Sequence, residues 1–121
     1  MEITIKKTLN ITDEQIDDIM CTALEGGITY WCSEAQPVGE YLGEWAHEQI
    51  ARGGQLKLTD SEEDKIYELD KEKLLKGLEL YLSNGGDAEI VSGGTIDTSE
   101  VDAIAADEIV QYALFGDVIY G

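Results

Sequence analysis

The chain has 121 residues, and its 26 Asp and Glu against eight Lys and Arg give a formal charge of −18, a balance that repels nucleic acid and favours basic partners. Its 43% hydrophobic content is near the globular average, and the periodic placement of the apolar residues argues against a disordered polyanion. The length predicts one compact domain over residues 1–121.

The charge is unevenly placed. Residues 8–51 and 77–121 each carry nine carboxylates and no Lys or Arg, so every lysine and the only arginine lie in 1–7 and 52–76. Self-repulsion on this scale costs stability unless something is gained in solubility or binding, and the fitting partners are cations or a protein groove made to hold nucleic acid. No stretch approaches the ~18 apolar residues of a membrane span, and MEITIKK lacks the apolar core of a signal peptide. A cytosolic protein without membrane contact is expected. Cys21 and Cys32 form no CxxC pair and read as two packed or half-exposed thiols.

In chain order, residues 2–9 alternate as a strand, with Ile3, Ile5 and Leu9 on one face. Thr12 and Gln15 have the spacing of a capping box, opening a helix with Ile16, Ile19, Met20, Ala23 and Leu24 inward until Gly26 and Gly27. Residues 28–36 have no clear pattern. Pro37 suits the first turn of a second helix burying Tyr41, Leu42, Trp45, Ala46 and Ile50, stopped by Gly53 and Gly54. Residues 55–60 and 65–69 read as a hairpin with a solvated SEED tip. Asp70 caps a third helix with Leu74, Leu75, Leu78, Tyr81 and Leu82 inward, ended by Gly85 and Gly86. Residues 87–98 read as loop or weak extended structure. Ser99 is the expected cap of a last helix through Val101, Ile104, Ala105, Ile109 and Tyr112, ending near Gly116. The fold class is α+β, a small mostly antiparallel sheet of about three strands packed with about four helices.

Catalytic motifs are rejected on spacing. His47-Glu48 begins HExxH, but Ala51 stands at the second ligand position and no other histidine exists. His47 falls opposite the expected apolar face, among glutamates and away from both cysteines. No phosphate-loop, dinucleotide or nucleophile-elbow string is present. Asp60, Glu62, Glu63 and Asp64 lack the ligand alternation and central glycine of a calcium loop. No enzyme activity, cofactor or metal is expected.

The acidic surfaces carry more geometric content. Glu40, Glu44 and Glu48 recur every four residues, which on a helix places a carboxylate about every 6 Å along the axis. Glu14, Asp18 and Glu25 do much the same on the first helix. Ordinary surfaces mix both signs, so the omission of Lys and Arg favours a row that imitates a phosphate backbone over a merely solvated face. In the last helix, Glu108 falls inside the apolar arc or at its edge. Ala103, Ala106, Val110 and Leu114 give that helix a second apolar side, either sandwiched within the domain or facing a second subunit. Tyr30 and Trp31, with Glu108, Tyr112 and the C-terminal ALFGDVIYG, are either plain core or the lining of a pocket.

The stretches ITDEQIDDIMCTALEGGITYWC (11–32) and IVQYALFGDVIYG (109–121), with a Leu-rich helix between them, resemble short acidic proteins encoded by bacteriophages and prophages of anaerobic gut bacteria. The resemblance implies an inhibitor of host defence, such as an anti-CRISPR protein, acting in the bacterial cytoplasm. It assigns no residue a role.

The leading expectation is a non-enzymatic inhibitor that occupies the nucleic-acid-binding surface of a defence effector with Glu40, Glu44, Glu48, Glu14 and Asp18. The alternatives are a small-molecule or signalling-nucleotide sponge using the aromatic pocket, and a phage structural or assembly protein.

Overall fold

The computed structural model describes residues 1–3 and 8–121. The centre of the strand expected over 2–9 therefore lies outside the described residues. Just after it, Asn10 N–H donates to the Gly94 carbonyl at 2.7 Å, and the Thr95 hydroxyl donates to the Asn10 carbonyl at 2.6 Å.

Thr12 caps α1 (Asp13–Thr22) through the expected reciprocal pair: Gln15 N–H donates to Thr12 Oγ1 at 3.1 Å, and Thr12 N–H donates to Gln15 Oε1 at 2.9 Å. Ile16, Ile19 and Met20 are buried on its inner face, and a wide π turn over Ala23–Gly27 ends it.

The next segment departs from expectation. Residues 32–37 are a strand, β1 (Cys32–Pro37), and the helix expected from Pro37 to Ile50 shrinks to one turn, α2 (Glu48–Ala51). Pro37 instead closes β1, opposite Leu56, and Gly39 takes a left-handed φ of 81° that a helix would not allow. Residues 38–47 form a loop on which Tyr41, Leu42 and Trp45, expected in the core, are exposed, while Ile50 is buried.

β2 (Leu56–Asp60) and β3 (Lys65–Leu69) form the expected hairpin, and the sheet order is β1-β2-β3, all antiparallel. Leu56, Leu58 and Asp60 share the buried side of β2. Asp70 then caps α3 (Lys71–Ser83), accepting from Lys73 N–H at 2.8 Å. Leu74, Leu78 and Tyr81 are buried, whereas Leu75 is exposed. A two-stranded hairpin follows, β4 (Val91–Ser92) with β5 (Thr95–Ile96).

The last helix, α4 (Ala103–Phe115), is capped by Asp102, which accepts from Ala105 N–H at 2.8 Å. The expected cap, Ser99, lies in a preceding 3₁₀ turn over Thr98–Glu100. Both apolar sides turn inward from the second turn of α4 on: Ile109, Ala106 and Val110 are all fully buried, whereas Ile104, expected inward, is exposed in the first turn. Gly77 allows α3 to approach closely, since a Cβ there would sit 2.5 Å from the Ile109 carbonyl oxygen and 2.7 Å from Ala113 Cβ. The face of Ala103, Ala106, Val110 and Leu114 is thus not a free subunit contact. Ala106 and Val110 belong to the interior, Leu114 is half-buried, and Ala103 is exposed. Gly116 ends the helix at φ 73°, the left-handed position that glycine occupies without strain.

The fold is α+β: among the described residues, four helices, a three-stranded antiparallel sheet and a two-stranded one. No helix among them is long and apolar enough to cross a membrane.

Candidate functional site

The aromatic cluster resolves into core. Trp31 is fully buried, with Tyr120 stacked on it at 5.6 Å between ring centroids and Phe115 tilted against it at the same distance. The expected pocket around Tyr30, Trp31, Glu108 and Tyr112 is therefore occupied at Trp31 by the chain's own C-terminal rings. Glu108 and Tyr112 are half-buried. The carboxyl that enters the core is the neighbour of Glu108, Asp107, which accepts from Trp31 Nε1 (2.8 Å), the Tyr30 hydroxyl (2.6 Å) and Gln111 Nε2 (2.8 Å). Gln111 Oε1 in turn accepts from Ile119 N–H and Tyr120 N–H at 2.8 and 2.9 Å.

A second buried carboxylate, Asp60, accepts from Glu62 N–H (2.9 Å), Glu63 N–H (3.2 Å) and the Tyr120 hydroxyl (2.7 Å). Asp60 thus turns inward and is not part of a solvated tip. These two carboxylates pin the C-terminal segment, and neutral donors alone satisfy them. Burial, with Asp107 alongside, pushes the Tyr30 phenol up to about 12, and the bond to Asp60 raises that of Tyr120.

The thiols are equally structural in setting. Burial pushes Cys32 up, and burial together with Glu25 pushes Cys21 up. Among the described residues no group of three or more His, Cys, Asp or Glu is placed to hold a metal ion.

What remains outward is an acidic surface centred on α1. Glu14, Asp18 and Glu25 are exposed, and among the described residues none of them pairs with a cation. Asp13 pairs with Lys71 Nζ at 2.9 Å, and Asp17 meets His47 Nδ1 at 2.6 Å. Two clefts flank this helix. One, of about 520 Å³, runs between α1 and the β4–β5 hairpin, lined by Glu14, Asp18 and Asp97 together with the hydroxyls of Thr12, Thr95 and Thr98. Thr98 Oγ1 donates to Asp18 Oδ2 at 2.7 Å, and Gln15 Nε2 donates to the Ile96 carbonyl at 3.0 Å, so the cleft walls are tied together. The other, of about 390 Å³, lies between Leu24 and Glu25 on one side and Trp45, Ala46 and His47 on the other.

The expected stripe of Glu40, Glu44 and Glu48 does not form, because no helix carries Glu40 and Glu44. Those two are exposed on the 38–47 loop. Glu48 folds back to brace it, its Oε2 accepting from Glu44 N–H at 2.7 Å and Trp45 N–H at 3.4 Å. The Glu44 N–H chiefly holds the Glu48 carboxyl below its ordinary range. Buried Gln49 completes the brace: its Oε1 accepts from Leu42 N–H at 2.9 Å, and its Nε2 donates to the Glu40 carbonyl at 3.3 Å. His47, expected on the outer face among glutamates, is half-buried and docks the loop on α1 through Asp17.

Sequence reasoning thus placed Glu14 and Asp18 on a true helix face. It missed Asp97, which reaches the same cleft from the far end of the chain, and no local pattern could have revealed that. Comparison with protein-family models, with curated proteins and with solved structures finds no match to this chain.

Proposed function

We propose that the protein is a non-enzymatic inhibitor, phage-encoded as the resemblance implies, that occupies the basic nucleic-acid-binding surface of a bacterial defence effector. The observation that carries this reading is the exposed acidic surface of α1 and the π turn after it, where Glu14 and Asp18 on the helix and Glu25 on the turn stand without a cation among the described residues and Asp97 joins the first two across a cleft. A folded protein ordinarily relieves such repulsion by interleaving lysines. Leaving it unrelieved gains most when a partner supplies the positive charge, as a groove built for phosphates does.

The row is shorter than a four-residue repeat along two helices would have been. Its rigidity is better supported, because the Thr98–Asp18 and Gln15–Ile96 bonds fix both cleft walls. A sponge built around Trp31 loses its support, since Trp31 is enclosed by the chain's own rings.

The test is capture from a nuclease-treated bacterial lysate with the wild-type chain and a Glu14→Lys/Asp18→Lys variant as baits. The expected result is a nucleic-acid-binding protein retained by the wild type, released as salt rises from ~50 to ~200 mM, and absent from the variant. Equal retention by both baits would remove this face from the function.

A further inference from the structure

We infer that the cleft between the end of α1 and Trp45 is a socket for an arginine side chain of a protein partner. This rests on the reading of the protein as a binder of a basic protein surface, and it adds the chemistry of one contact. The cleft holds about 390 Å³, which is on the scale of a small-ligand site (about 300–1,000 Å³) and enough for one long side chain.

Its walls are of three kinds. Leu24 and Ala46 are aliphatic, Glu25 is an exposed carboxylate without a cation among the described residues, and Trp45 is an indole that is 58% exposed. A long cationic side chain matches all three, with its methylene stem along the aliphatic wall, its head over the indole face and its N–H groups on the carboxylate. The fit favours arginine over lysine. A planar guanidinium stacks on an indole and keeps its edge N–H groups free for Glu25, whereas an ammonium is a point charge that holds its water more tightly.

The backbone that presents the indole is also held. The Trp45 and Glu44 N–H groups sit on the Glu48 carboxylate, and Leu42 N–H sits on Gln49. His47 is already engaged by Asp17 at 2.6 Å, which leaves Glu25 as the lining carboxylate open to an incoming cation. Tryptophan and arginine are the side chains most enriched among the residues that carry binding energy at protein interfaces.

The test is an NMR titration of the full chain with blocked Gly-Arg-Gly, Gly-Lys-Gly and Gly-citrulline-Gly at low salt, reading the Trp45 indole N–H and the Leu24 and Ala46 methyls. The arginine tripeptide is expected to shift all three saturably, the lysine one to bind about fivefold more weakly, and the neutral citrulline one to give no response. Trp45→Ala and Glu25→Gln, both at exposed positions, should each remove most of the shift at Leu24, while Trp45→Phe keeps it in part. Arginine-induced shifts at Glu14 and Asp18 but not at Trp45 would overturn the socket and leave the acidic-face reading standing. An undiminished Leu24 shift in both variants would overturn it as well. Silence of every residue to both cationic tripeptides would overturn the socket and the acidic face together.

Discussion

Trp31 donates its indole N–H to Asp107 Oδ1 at 2.8 Å inside the core, where the same carboxylate also receives Tyr30 and Gln111. Asp107→Ala would leave three donors without their acceptor and should cost about 2–4 kcal/mol. Asp107→Asn keeps an acceptor for Trp31 and should cost less than half as much. Urea denaturation followed by Trp fluorescence checks both: the midpoint should fall in the order wild type, Asn, Ala, with an unchanged slope.

Alkaline stability follows from the same cluster. The Tyr30 phenol moves from an ordinary value of 10.0 to about 12 in the folded protein. A raised folded value means that the native state holds its proton where the unfolded chain has lost it. The stabilisation is full below about pH 10 and lost as pH rises through about 12. Wild-type stability should therefore slope downward across that window, and Tyr30→Phe should flatten the slope while lowering stability near neutral pH. An equal slope in wild type and variant would contradict the assignment.

The Ala105–Gln111 stretch of α4 is packed into the domain on both apolar sides, and this reverses what a surface-facing second side would predict. Val110→Glu places an unpaired carboxylate in a fully buried position and should leave little folded protein by circular dichroism. Gly77→Ala, which drives a methyl into the Ile109 carbonyl and Ala113, should cost about 1–3 kcal/mol. A folded Val110→Glu protein of halved mass in light scattering would restore the subunit-contact reading.

The 38–47 loop owes its shape to two side chains. Removing the Glu48 carboxylate by Glu48→Ala should loosen the loop and speed amide exchange at Glu44 and Trp45. Gln49→Leu should do the same at Leu42. Unchanged exchange at all three amides would show that the loop is held by something else.

What was legible in the sequence was what is local. The Thr12–Gln15 box, the Asp70 cap and the SEED hairpin are each decided within a few neighbouring residues, and each formed as read, while one of the leucines after Asp70, Leu75, turned outward. The false helix over 37–50 came from apolar residues at helical spacing, and it ignored Gly39 and Gly43, each costing about 1 kcal/mol in a helix relative to alanine. The last helix was read one position out, with Glu108 in place of Asp107, because a helix buried on two sides has no single apolar arc from which to take its phase. Asp60 was recoverable from the alternation Leu56, Leu58, Asp60, which carries it to the buried face. The joining of Glu14 and Asp18 with Asp97 depends on tertiary packing and had no local signal.

If the α1 face takes the place of nucleic acid on a basic partner, the chain and an oligonucleotide must compete for that partner. With the captured partner bound to a fluorescent oligonucleotide, added wild-type chain should release the oligonucleotide in proportion to occupancy, and the Glu14→Lys/Asp18→Lys variant should need at least about tenfold more, the effect of about 1.4 kcal/mol. An oligonucleotide that stays bound while the wild-type chain saturates the partner would contradict the account, since both would then occupy the partner at once.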